Sequence, residues 1–108
     1  MPPVPSLAVL LAHLRQAEVV PKPPGESWAA MIDRIHQTGL IHEVDEETYD
    51  WFLECLPPKY QSGGLYAFAE GAEPLKLFWR RDGRFFVRPL TDEETKEFCR
   101  LARIPVPW

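Results

Sequence analysis

The chain has 108 residues, 45% of them hydrophobic and 12% aromatic, and carries a formal net charge of −4 from 12 basic and 16 acidic side chains. These are globular values: they exclude wholesale disorder, and at this length they describe a single domain, residues 1–108, that buries about 60–70% of its unfolded surface. Two cysteines without CxxC spacing exclude a disulfide framework, and the mild net charge neither demands nor excludes a nucleic-acid partner.

Residues 1–5 are proline-rich, and Ser6 is placed to cap a first helix over about 6–18, with Leu7, Leu10, Leu11 and Leu14 on one side. The apolar run inside it is short and lacks a basic region or small-residue cleavage pattern, so neither export nor a membrane span is expected, and the default location is the cytoplasm. Pro21, Pro23, Pro24 and Gly25 then read as a stiff connector that separates this helix from the rest, or lets it swap onto a second copy of the chain. A second helix is expected over about 26–38, with Trp28, Met31, Ile32 and Ile35 as its apolar face and Gly39 at its C-terminal cap. Leu40 to Val44 alternates apolar and polar residues, as an edge strand or an extended lead would.

The third helix, about 46–56, is the most informative stretch. Tyr49, Phe52, Leu53 and Leu56 fall at i, i+3, i+4 and i+7 and form one apolar stripe. Glu46, Asp50 and Glu54 fall at i, i+4 and i+8 on another side, where carboxylates repel by about 0.2–0.5 kcal/mol per pair. Asp45 is a good N-cap, and Pro57 and Pro58 force an exit. Three strands are expected next, over about 65–70, 75–80 and 85–90. Asp82-Gly83 between the last two is the strongest short hairpin signal, and it pairs Trp79 with Phe86 and Phe78 with Val87. Both faces of that hairpin then mix apolar and charged residues. Thr91 with Glu94 forms a capping box that opens a last helix over about 92–103, with Phe98, Leu101 and Ala102 facing the core. The expected fold is α+β, with helices on one face of a small three-stranded antiparallel sheet.

The run from Tyr49 through Trp51 to Pro58, with Gly63-Gly64, Phe68 to Gly71 and Phe78 to Phe86, resembles a family of short uncharacterised bacterial proteins carried on plasmids and other mobile elements. The resemblance covers about residues 43–90. It implies a context rather than a chemistry: small acidic proteins on mobile elements are often inhibitors of host defence, of the anti-CRISPR or antirestriction kind.

Two surfaces are candidates for binding. The acidic ridge Glu46, Asp50 and Glu54, with Glu43 and Glu47 beside it, imitates phosphate spacing and suits a basic groove on a protein target such as a nucleic-acid-handling complex. Trp51 or Trp79, but not both, is expected to be exposed as an anchor beside it. The alternative surface is the hairpin, where Arg81, Arg84 and Arg88 beside Phe86 offer stacking and phosphate contact to single-stranded nucleic acid, although arginines also protect strand edges. An enzyme of unknown type is the third reading. Cys55 and Cys99 are expected as reduced, semi-buried helix residues, and Glu70 and Glu73 as surface residues of a loop. His42 with Glu43 and Asp45 lacks a metal-binding pattern, so no metal or cofactor is expected. The reading these observations support is a small non-enzymatic binding protein that occludes a surface on its target.

Overall fold

A computed structural model describes residues 18–55, the backbone of 61–62, residues 65–69 and residues 73–108. The first expected helix lies outside the described residues except for its final position, as do Leu56 to Tyr60, Gly63-Gly64 and Glu70. Among the described residues six strands form one mixed sheet: β1 (Val19–Val20), β2 (Ile41–Val44), β3 (Gln61–Ser62), β4 (Leu65–Phe68), β5 (Lys76–Arg81) and β6 (Arg84–Pro89), in the order β1-β2-β6-β5-β4-β3. Three helices are present among the described residues: α1 (Trp28–Arg34), α2 (Glu46–Cys55) and α3 (Asp92–Ala102).

The α+β class and the antiparallel β4-β5-β6 meander match expectation, but the sheet is larger than three strands. Two residues per strand at β1 and β3 are too few to show an alternation, so periodicity cannot reveal them. β1 pairs in parallel with β2, Val19 opposite Ile41, which requires a crossover of a dozen or more residues. Residues 21–40 supply it, so the described part of the proline-rich stretch is one arm of a β-α-β unit. β2 is consequently an interior strand, flanked by β1 and β6, and not an edge.

The hairpin register is the expected one, with Trp79 opposite Phe86 and Phe78 opposite Val87. Asp82 and Gly83 both have positive φ, 54° and 75°, as a two-residue connection matching the strand twist requires. A Cβ added at Gly83 would meet nothing within 4 Å, so a side chain there costs only backbone strain. Gly83→Ala is therefore expected to lose about 1–2 kcal/mol of stability in chemical denaturation, with the native spectrum kept.

Because opposed residues share a face, the register divides the core in two. Tyr66, Phe68, Phe78, Val87 and Val44 turn to one face, where they pack with Met31 and Ile35 of the α1 region and Tyr49 and Phe52 of α2. Leu65, Ala67, Leu77, Trp79, Phe86 and Ile41 turn to the other, where Phe98 and Cys99 of α3 join them and the half-buried Ile104 packs alongside. Helices thus cover both faces, not one. The one-sided arrangement expected from the sequence fails because both sheet faces carry large apolar side chains, and an apolar face left in water would forfeit its burial.

Local signals account for the helix limits. Ser27 caps α1 by accepting from Ala30 N at 3.2 Å, and Asp45 Oδ1 accepts from Thr48 N at 2.8 Å at the start of α2. Thr91 and Glu94 make both bonds of the capping box on α3. α1 stops at Arg34, short of the expected 38, with Ile35 at its cap. Beyond it, Gln37 turns its carbonyl to Nε2 of His42, 3.0 Å away, which removes that carbonyl from a helical ladder. Gly39, at φ 81°, serves the turn that follows, where its N–H donates to Pro89 O at 3.0 Å.

Candidate functional site

The surface of interest is built on α2. Tyr49 and Phe52 point inward, onto Phe78 at ring-centroid distances of 5.6 and 5.4 Å. Thr48, fully buried, reaches across to α1, where its hydroxyl lies 2.8 Å from Sδ of Met31. With that stripe seated, a helical period of 3.6 residues places Glu46, Glu47, Asp50 and Glu54 outward, and all four are exposed. Together with Asp45 and Trp51 they line one open surface depression. None of these four carboxylates has an ion pair among the described residues, so the ridge keeps its mutual repulsion.

Trp51 stands at the border between ridge and core. It is 37% exposed, and its ring meets Trp28 of α1, itself 47% exposed, edge-on at 5.9 Å. On its inner side it touches Phe52 at 5.1 Å and Phe68 at 6.1 Å. The two tryptophans therefore form an exposed aromatic pair next to unpaired carboxylates, fixed from behind by the core. Trp79 occupies the opposite situation: it is 6% exposed and stacked on Phe86 at 5.8 Å, so it is core and not an anchor. The choice between them follows from strand register, which turns Trp79 under α3.

The arginine hairpin is largely consumed by internal contacts. Arg88 is 7% exposed and pairs with Glu94 of α3 at 2.9 Å; it also donates to Gly39 O at 3.3 Å. Phe86 is a core residue. Arg84 makes a two-pronged contact with Glu43 at 2.8 and 3.2 Å while its guanidinium lies 5.3 Å from the Phe86 ring centre. The hydrogen bond from Arg84 holds the Glu43 carboxyl below its usual range, so Glu43 belongs to this pair and not to the ridge. Arg81 remains exposed, and among the described residues its ion pair is with Asp82, at 3.7 Å.

The other candidates disperse. His42 is fully buried and Glu43 lies on the opposite sheet face, because successive strand residues alternate. Among the described residues no group of three His, Cys, Asp or Glu is placed to hold a metal ion. Burial pushes the Cys99 thiol up, away from the reactive thiolate, whereas Cys55 is exposed rather than semi-buried, since it lies past Phe52 on the outer side of α2. Among the described residues no helix is long and apolar enough to cross a membrane.

One site was not legible in the sequence. Between α1, α2 and the ends of β4 and β5 lies a pocket of about 160 Å³, walled by Ile32, Ile35, Trp51, Phe52 and Phe68 and edged by His36, Glu73 and Lys76. A second depression of about 200 Å³ adjoins it, sharing the same three polar residues. The signal that could have found it is Lys76, which occupies an inward position in the β5 alternation, two residues before Phe78. Comparison of the chain with protein-family models, with curated proteins and with solved structures finds no match.

Proposed function

We propose that the protein is a non-enzymatic binding protein of a mobile element, an inhibitor of host defence that works by occluding a surface on a protein target. The observation that carries this reading is the Trp51–Trp28 pair, exposed and rigidly backed, beside the unpaired carboxylates Glu46, Asp50 and Glu54. Binding energy in protein interfaces concentrates on a few buried anchors, with tryptophan prominent among them, while charge complementarity steers the encounter. A basic groove that ordinarily holds nucleic acid is the complement this arrangement fits, and occlusion requires no chemistry. The hairpin reading has less support, since Arg88 and Phe86 are buried and Arg84 is engaged with Glu43.

The test is a tagged capture from the native host, followed by titration of the purified target. The parent is expected to retain one nucleic-acid-handling complex. Trp51→Ala is expected to weaken that binding about 30-fold or more, and Glu46→Lys, Asp50→Lys, Glu54→Lys to abolish it at physiological salt, both with native circular dichroism. Capture of the same set by the charge-reversed variant would sink the proposal. Direct binding of single-stranded nucleic acid, lost on Arg80→Glu, Arg81→Glu, would transfer the function to the hairpin.

A further inference from the structure

The pocket behind Trp51 has the composition of a ligand site, and nothing in the ridge reading uses it. Its inner wall is apolar and aromatic, formed by Ile32, Ile35, Trp51, Phe52 and Phe68, and its volume of about 160 Å³ is close to that of cavities known to take a single benzene ring, about 150 Å³. The polar groups are confined to one side, where His36, Glu73 and Lys76 stand at the junction with the second depression. An apolar body with a few convergent polar groups at one end is the usual make-up of a small-molecule site.

Lys76 defines the chemistry of that end. Its side chain is 8% exposed, held along the sheet face opposite Phe68 of β4 and Pro89 of β6. A buried ammonium needs an anion, and the described partner is Glu73 Oε2 at 3.2 Å. Glu73 is a poor permanent partner: it is 54% exposed, three residues away, and lies outside the strand. Pairs of that kind contribute little to stability and exchange readily. The lysine is built into the sheet, whereas its carboxylate is supplied from the surface.

We propose that this pocket binds a small aromatic carboxylate, with its ring against the wall formed by Trp51, Phe52 and Phe68 and its carboxylate on Lys76, in the place now taken by Glu73. His36 at the same junction offers the second donor. Glu73 then acts as an internal competitor that neutralises Lys76 while the pocket is empty. Two charge relations follow. Removing Lys76 abolishes the preference for an anion, and removing the Glu73 charge strengthens binding.

The experiment titrates the whole protein with phenylacetate, its neutral isostere phenylacetamide and the cation phenethylamine, read by amide and methyl NMR shifts at Ile32, Ile35 and Lys76. Phenylacetate is expected to bind at millimolar concentration or below and at least about tenfold tighter than phenylacetamide, the discrimination expected of one charge-assisted contact. Lys76→Met, which keeps the apolar stem, is expected to erase that difference, and Glu73→Gln to tighten phenylacetate about threefold or more. Shifts that ignore phenylacetate, a preference for phenethylamine, or an unchanged anion preference in Lys76→Met would each overturn the proposal. Should Lys76→Met fail to fold, the exposed Glu73→Gln decides alone: tightening supports the site, and unchanged affinity refutes it.

Discussion

Phe78→Ala is expected to lower stability by about 3–5 kcal/mol, a large fraction of the roughly 5–15 kcal/mol available to a domain of this size. Phe78 is fully buried at the centre of the first core layer, on β5 between β4 and β6. It stacks with Phe52 and Tyr66 at centroid distances of 5.4 and 5.3 Å and meets Tyr49 edge-on at 5.6 Å. Truncation leaves a cavity that three large rings cannot collapse into without leaving their own rotamers. The midpoint of denaturant unfolding should fall accordingly, whereas Trp28→Ala, at a half-exposed position, should cost no more than about 1.5 kcal/mol, the worth of its edge contact with Trp51. The loss also has a functional consequence. Tyr49 and Phe52 seat α2, so loosening them releases Trp51 and the carboxylate ridge, and target binding should weaken although no surface residue has changed. Equal destabilisation by the two variants would refute this account of the core.

The second large effect concerns Arg34 and Glu26. Arg34 Nε and Nη2 meet the two Glu26 oxygens at 2.7 and 2.8 Å, and Nη2 also donates to Glu43 O at 2.7 Å, which ties α1 to β2. The two side chains are 11% and 5% exposed, so removing one partner strands a charge away from water. Glu26→Gln is expected to cost about 3–5 kcal/mol, whereas Glu26→Met with Arg34→Met should recover most of it, since paired removal leaves no uncompensated charge. A double-mutant cycle measures the difference. The hydrogen bond from Arg34 holds the Glu26 carboxyl below its usual value of 4.5. A carboxylate depressed in the folded state stabilises above its unfolded pKa, and that contribution is lost as pH falls through the folded value. His42 acts in the same direction at higher pH: burial lowers it from 6.5, so part of the stability disappears as pH drops below that value and the unfolded chain takes up the proton. Unfolding midpoints followed from pH 7 to 3 should therefore decline in two stages, and Glu26→Gln should diminish the more acidic one, to which Glu43, Asp45 and Glu97, also held below their usual values, contribute the rest.

Much of the local structure is readable without coordinates, because it is set by near neighbours. Asp45 caps α2, Thr91 and Glu94 box α3, and Asp82-Gly83 closes the hairpin, each through bonds or dihedrals within a few residues. The Tyr49–Phe52 stripe and the outward carboxylates of α2 follow from helical period alone. Hairpin register, once the two-residue turn is recognised, follows as well.

What needed the tertiary structure is everything that depends on distant partners. β1 exists because Val19 meets Ile41 across a crossover, and no property of a two-residue strand announces that. The burial of Trp79 and Arg88 was decided by α3 covering their face, and the charge of Arg84, still exposed, is engaged by Glu43, which precedes it by 41 residues. The pairing of Trp28 with Trp51 and the pocket edged by His36, Glu73 and Lys76 arise where α1, α2 and the sheet converge. For α2, α3 and the β5–β6 hairpin, the sequence determined which residues share a face. Only the packing of those elements decided which aromatics and charges met one another and which were left to meet a partner, because such contacts join positions that local periodicity never compares.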